Sequence, residues 1–411
     1  MPPHRSILLD SQRQPVGCCV VIVALCATVV GCSSGGGGSA GPVVTLPPPD
    51  PLTTLSSTVA AALSPGNASG QDEDPAILRA ADGKLYAAWY SNRNPRQSDG
   101  AQDKEIFLAR SVDGRNWSDP PIQLTQSLAE AGTPSLAQDA RGTFHLAWTR
   151  TMFTPQGCVA ANNCTGSMSL VLYKSSADGV TWNLAEETIV AVGPGDWLPS
   201  IVYDNQANRL LIFFASVTRD ASGNPSLAQL INRLYVVINS GAGWSRPQRL
   251  NGVNLGNTQN NFPHVVQRAD GQFLMAWTRY ESGVVDPTAS TKELSSDTLW
   301  ASSPDGLNWN VPTVLSDNDT LAALDVLPSL YFDPGKSEWT AAWLNAPNAA
   351  TVGKTVEMRI GGSYPTDLRN RPELAGYSGR VLSTATPGIF WGVWVAGVEP
   401  TQKIQYRFFT R

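Results

Sequence analysis

The chain has no cluster of basic residues. Charged side chains make up only 15% of its 411 residues, the formal net charge is −5, and Lys and Arg are scattered. Neutralising phosphates takes grouped Lys and Arg, so nucleic acid is excluded as a partner. There is no Gly-rich phosphate loop, no Walker motif and no nucleophile elbow. No EF-hand spacing supports Ca²⁺, and no metal or other cofactor is expected. Cysteine is scarce too. Of six, Cys18, Cys19, Cys26 and Cys32 lie in or just after an N-terminal apolar run, which leaves Cys158 and Cys164. Neither His145 nor His264 is near that pair in sequence, which argues against a two-Cys metal site. What the chain does have is apolar mass: 42% hydrophobic residues, with 13 Trp. That is too apolar for disorder, and so many tryptophans point to repeated aromatic positions rather than helical bundles.

The N-terminus reads as an export signal. Arg5 and Arg13 precede an apolar run of thirteen residues, Cys18 to Val30, too short for a comfortable bilayer span. The run ends in Val29-Val30-Gly31-Cys32, which resembles a bacterial lipobox. The resemblance implies a lipid on Cys32 that anchors without spanning. The alternative is an ordinary cleaved signal peptide with Cys32 incidental. Residues 1–31 are read as signal, and residues 32–52, rich in Gly, Ser and Pro, as a tether. Residues 53–411 form the domain. Ser33 after the cysteine resembles outer-membrane sorting, so the expected place is the cell envelope, facing the periplasm or the surface. Loss of residues 1–31 removes two Arg and one Asp and takes the net charge to −6. In an exported domain, Cys158 and Cys164 read as a local disulfide.

The rest of the chain repeats. An x-Pro-x-aliphatic string opens a short apolar run at Pro75, Pro134, Pro199, Pro263 and Pro328, in steps of 59, 65, 64 and 65 residues. A second run follows each, ending at Trp89, Trp148, Phe214, Trp277 and Trp343. Polar turns such as Ala81-Asp82-Gly83 join the two, a hairpin signal. After a third run comes Ser-x-Asp-Gly-x-x-Trp, with Asp113 and Trp117, Asp178 and Trp182, and Asp305 and Trp309; a worn copy ends at Trp244. In such a turn Asp accepts backbone N–H groups, Gly supplies positive φ, and Trp anchors on apolar surface. Each unit is thus four short strands, and turns repeated in step with them argue for a propeller. Residues 379–409 make a sixth unit one strand short, and residues 53–63 are expected to supply that strand and close the ring.

The string is similar to the Asp-box repeat of the sialidase superfamily, over about residues 70–411. The resemblance implies an all-β, six-bladed propeller of four-stranded antiparallel blades. It also implies that the Asp-box residues are structural. Sialidases grip a carboxylate with three arginines, the first just before the proline of the first blade. Here that place reads Gln71-Asp72-Glu73-Asp74-Pro75, an acidic stretch that would repel an anionic sugar, so sialidase activity is not carried over.

A propeller site sits at one end of the axis. Asp72, Asp196, Asn260 and Asp325 stand three residues before their prolines, and Glu130 four. Arg150 and Arg279 follow their tryptophans by two, with Tyr280 and Glu281 next. These residues are expected to converge on one axial face and bind a glycan or protein. Asp72, Glu130, Asp196, Asp325 and Glu281 are the acid–base candidates. Some propeller lyases use an axial His, which makes His264 with Tyr280 and Arg279 a second set. The bland alternative is a solvated polar ring in which Asp and Asn cap strand ends. Two functions stay open: a non-catalytic, surface-anchored recognition module, favoured by the lost arginine, and a glycan-cleaving hydrolase or lyase. A monomer is expected.

Overall fold

The computed structural model describes residues 61–63, 71–93, 104–126, 129–153, 167–184, 188–193, 196–217, 231–256, 258–280, 296–316, 324–346, 353–364, 366–371, 377–383, 389–396 and 402–410. Cys32, the signal and tether segments, the Cys158–Cys164 pair and Glu281 lie outside them. The described residues contain 24 strands and no helix.

A two-residue strand, β1 (Ala61–Ala62), comes first. Unit 1 is β2 (Asp72–Arg79), β3 (Leu85–Ser91), β4 (Glu105–Ser111) and β5 (Ile122–Gln123). Unit 2 is β6 (Glu130–Gln138), β7 (Phe144–Phe153), β8 (Ser167–Ser176) and β9 (Thr188–Gly193). Unit 3 is β10 (Trp197–Asp204), β11 (Arg209–Val217), β12 (Asn232–Asn239) and β13 (Gln248–Arg249). Unit 4 is β14 (Gln259–Gln267), β15 (Phe273–Tyr280), β16 (Ser296–Ser303) and β17 (Thr313–Val314). Unit 5 is β18 (Leu324–Asp333), β19 (Glu338–Ala346), β20 (Lys354–Arg359) and β21 (Arg369–Asn370). Unit 6 is β22 (Tyr377–Ser383), β23 (Ile389–Ala396) and β24 (Lys403–Thr410), with β1 antiparallel to β24.

Units 1, 2, 3 and 6 are separate four-stranded sheets. Units 4 and 5 share one eight-stranded sheet, joined through a single parallel pair, Ser296 with Leu324. Separate sheets for every repeat, as the sequence leads one to expect, are therefore met in four. The first strands touch in a closed circuit, β2 to β6, β10, β14, β18, β22 and back to β2, a propeller-like arrangement.

The x-Pro motif is a β-bulge. The first-to-second strand register breaks between Glu73 and Ala76, Gly132 and Ser135, Trp197 and Ser200, Asn261 and His264, and Val326 and Ser329. The residue before each proline is left-handed: φ is 45° at Asp74, 46° at Thr133, 57° at Leu198, 53° at Phe262 and 59° at Leu327. Two bulge residues then face one aromatic on the second strand, which explains why Pro and Trp recur together. Proline lacks the N–H that the interrupted ladder no longer needs. Trp89, Trp148, Trp277, Trp343 and Trp394 are buried there.

The Asp-boxes of units 1, 2 and 4 tie each of these to the unit before it. Asp113 Oδ1 accepts the N–H groups of Arg115 and Asn116, both at 2.8 Å. Asp178 does the same for Val180 and Thr181, and Asp305 for Leu307 and Asn308. Gly114, Gly179 and Gly306 sit at φ 69°, 70° and 76°. Trp117 stacks on Trp391 of unit 6 at 5.0 Å, and Trp309 meets Phe213 of unit 3 edge-on at 5.9 Å. Trp182 joins a core cluster shared by units 1 and 2. Even the worn copy conforms, with Trp244 edge-on to Tyr173 of unit 2 at 5.0 Å.

Candidate functional site

Four residues expected at the open axial face lie inside the blades instead. Asp72, Asp196 and Asp325 are fully buried, and Asn260 nearly so. The first strands run on through their bulges, so the position three before proline is a strand residue in units 1, 2, 4 and 5 and, as Asp196, the residue just ahead of the strand in unit 3. Its side chain turns in beside the second-strand aromatic. Asp72 Oδ1 accepts the Trp89 indole N–H at 3.2 Å, Asn260 Oδ1 that of Trp277 at 2.9 Å, and Asp325 Oδ1 that of Trp343 at 2.7 Å. Unit 3 has Phe214 in place of Trp, and there Asp196 accepts the Ser216 hydroxyl instead. Unit 2 has Ala131 at the clip position, and the Trp148 N–H finds no acceptor among the described residues. These carboxylates and amides satisfy buried indoles.

The arginines are engaged by separate partners. Arg279 pairs with Asp297 at 2.9 Å, and Arg150 is buried with its guanidinium 5.9 Å above the Trp148 ring. Tyr280 packs beside Leu324, Val326 and Ala346, and burial pushes its hydroxyl above the usual phenol range. His264 has yet another partner. Its Nδ1 accepts the Leu330 N–H of the next unit at 3.2 Å. Ser135 and Ser200, one residue past their prolines as His264 is, make the equivalent bonds to Ile201 and Val265, both at 3.0 Å. His264 is an imidazole version of an inter-unit staple. Burial, with Arg380 adding like charge, lowers its pKa to about 3, so it is neutral with the proton on Nε2. The trio of His264, Tyr280 and Arg279 is not assembled.

One predicted residue, Glu130, does belong to a cluster. The others in it are Glu73, Tyr90 and Lys104, between units 1 and 2. Glu73 and Tyr90 are register partners on β2 and β3. The same two places hold Gly132 and Thr149, Trp197 and Ala215, Asn261 and Thr278, Val326 and Leu344, and Tyr377 and Val395 in the other units. Only unit 1 puts an acid opposite a phenol. The Tyr90 hydroxyl donates to Glu73 Oε2. Lys104 Nζ lies 3.4 Å from that oxygen, 3.7 Å from Glu130 Oε1 and 4.8 Å above the Tyr90 ring. The two ion-pair lengths together bound the Glu73–Glu130 oxygen separation at about 7.1 Å. Gly132 of β6 flanks the ring: a methyl there would touch Tyr90 at 3.8 Å, and a longer side chain would displace it.

The cluster has a dry end and a wet end. The Glu73 side chain is 3% exposed, and its Oε1 is buried without a hydrogen-bond partner among the described residues. The Glu130 side chain is 35% exposed. Burial, then the charges of Asp74, Glu73 and Glu130, holds the Tyr90 hydroxyl well above the phenol range, so it is a neutral donor. That upper limit lies inside the range of about 5 to 9.5 Å over which carboxylates flank glycosidic bonds in hydrolases. Glu73, Tyr90 and Lys104 were not singled out from the sequence. Their signal was there, in the departure of one repeat from the other five.

No protein-family model matches the chain, and no curated protein matches it. Solved structures do. The GH93 α-L-arabinofuranosidase of Fusarium graminearum, solved with arabinobiose, superposes with a TM-score of 0.60 at 16% identity, over 86% of this chain and 97% of that one. The α-L-arabinanase of Penicillium chrysogenum, also with arabinobiose, gives 0.59 at 15%, over 85% and 97%. The leech intramolecular trans-sialidase gives 0.53 at 13%, over 84% of this chain and 68% of that one. At such identities the likeness establishes the fold alone, an all-β propeller-like one.

Proposed function

We propose that this chain is a glycoside hydrolase acting on neutral glycans at the axial end between units 1 and 2. The observation that carries the reading is the Glu73–Glu130 pair, no more than about 7.1 Å apart across Lys104. Glu73 acts as nucleophile or charge stabiliser. Its Oε2 is engaged by Tyr90 and Lys104, which hold the carboxylate in place. Glu130, at the wet end, gives its proton to the leaving oxygen and then takes one from the attacking water. The Glu73 and Glu130 carboxylates, with the charge of Asp74 close enough to act on Tyr90, disfavour anionic sugars, while Arg93 is spent on Asp72 and Arg279 on Asp297. The neighbours solved with arabinobiose support a neutral sugar. We further read the domain as a six-bladed ring, with the eight-stranded sheet counted as two blades. It is exported, lipid-anchored at Cys32 to the outer membrane, monomeric, and stapled by Cys158–Cys164.

Recognition without cleavage is the second reading. The Lys104 ammonium, already lodged between the carboxylates, favours it. The deciding experiment is reducing-sugar release from arabinan, xylan and glucans by the purified protein and by Glu73→Gln and Glu130→Gln. Hydrolysis predicts release that falls by about 10²- to 10⁴-fold in each variant. Binding with no release supports recognition, and release unaffected by both variants overturns the assignment of this pair.

A further inference from the structure

We propose that Trp197, Asn232 and Asn261 form a second sugar subsite at the same axial end, gripping a glycan chain at a distance from the Glu73–Glu130 pair. The inference rests on the glycan reading above and adds to it a preference for longer chains.

The placement follows from register. Trp197 holds in unit 3 the position Glu73 holds in unit 1, two residues before the bulge proline and just ahead of the same register break. Asn232 pairs with Val217, three residues past Phe214. Lys104 precedes Glu105, whose partner Ser91 is two past Trp89, and so occupies the same place in unit 1. Asn261 is the unit 4 counterpart of Gly132 in unit 2. The two constellations are therefore one three-place pattern, two units apart around the ring and at the same height. One is built of a carboxylate, an ammonium and a glycine. The other is built of an indole and two carboxamides.

The chemistry of the second constellation points to an uncharged sugar. Trp197 is half-buried, with its body against the core cluster of Leu211, Phe213 and Trp277. Its N–H reaches Asn261 Oδ1 at a long 3.4 Å, and Asn232 Nδ2 donates to the same oxygen at 2.9 Å. That shared acceptor orients both carboxamides. The capacity these bonds leave is the Asn261 amide NH₂ and the Asn232 carbonyl oxygen, a donor beside an acceptor. A flat aromatic surface flanked by one donor and one acceptor complements a neutral furanose or pyranose. The sugar's C–H face packs on the ring, and its hydroxyls both give and take hydrogen bonds. Asn232 and Asn261 are 8% and 7% exposed, so their geometry is held before any ligand arrives. Gly132 and Val326 stand at the Trp197 place in units 2 and 5 and offer no such surface.

The test is calorimetric binding of short and long neutral oligosaccharides (arabino-, xylo- and cello- series) to the full chain carrying Glu73→Gln, with and without Trp197→Ala. We expect Trp197→Ala to weaken the long oligosaccharide by about tenfold or more while leaving the disaccharide nearly unchanged. Trp197→Phe should recover most of the loss. Unchanged affinity for the long chain overturns the subsite, and so does an equal loss for both lengths, which marks a structural tryptophan. If no oligosaccharide binds even with Trp197 intact, the glycan reading itself fails and the subsite falls with it.

Discussion

At the scale of single residues, the two most conspicuous classes of side chain answer each other. A tryptophan buried opposite a bulge brings an N–H to be satisfied, and in units 1, 4 and 5 the residue three before proline supplies the acceptor. Asp325→Ala strands the Trp343 N–H and should cost about 1–3 kcal/mol in a denaturant melt. Asp325→Asn should cost much less, because Asn260 already serves Trp277 in that way. A catalytic acid would behave differently, since the amide would abolish turnover and spare stability. His264 gives the residue scale a pH signature. The unfolded imidazole takes up its proton near 6.5 and the folded one only near 3. The unfolded chain therefore binds the extra proton across that window, and stability is full above pH 6.5 and falls steadily towards pH 3. His264→Ser, which copies Ser135 and Ser200, should flatten the loss of melting temperature between about pH 7 and about pH 4.5. A variant with wild-type acid sensitivity would show that other groups set it.

At the scale of the element, the bulge and the Asp-box divide the work of a blade. The bulge holds a non-glycine residue at positive φ in five first strands, a strain of about 1–3 kcal/mol each that the packed aromatic opposite sustains. The Asp-box gives its turn a carboxylate that accepts two N–H groups at once. In Asp178 the N–H groups of Thr181 and Val180 depress the carboxyl far below its ordinary value. That contribution is present above the ordinary carboxyl pKa of 3.8 and is lost as pH falls below it, a window lower than that of His264. Asp305→Ala should destabilise by about 1–3 kcal/mol and leave glycan turnover unchanged when assayed well below the melting temperature. A loss of activity with no loss of stability would put the Asp-box in the chemistry instead of the frame.

At the scale of the molecule, unit 6 is completed by β1, a strand from the other end of the chain. Leu63, just beyond it, is 1% exposed and packs with Trp89, Trp391 and Ile404, and its N–H bonds Ile404 O at 2.8 Å. Leu63→Ala should cost about 2–5 kcal/mol, more than a surface change of the same size, because it loosens the closure between units 1 and 6. Thermal melts would read it, and a negligible shift would mean that the ring closes without this strand. The Glu73–Lys104–Glu130 cluster rests on a different junction, the packing of β2 against β6 between units 1 and 2.

The sequence by itself determined the repeat, its phase, the all-β class and the Asp-box turns, because those depend on local spacing: a turn needs its Asp, Gly and Trp within seven residues. It could also have marked Glu73 and Tyr90 as the places where one repeat departs from the rest. What only the tertiary structure decided was direction. Successive side chains of an extended strand point to opposite faces, so Asp72 turned to the Trp89 indole while its neighbour Glu73 turned the other way, to Tyr90 and Lys104, and only the packed structure fixed which face was which. The partners of Glu73 came from a second strand, Tyr90, from the start of a third, Lys104, and from the next blade, Glu130. No local pattern encodes that meeting, because it exists only once the first strands are packed side by side around an axis.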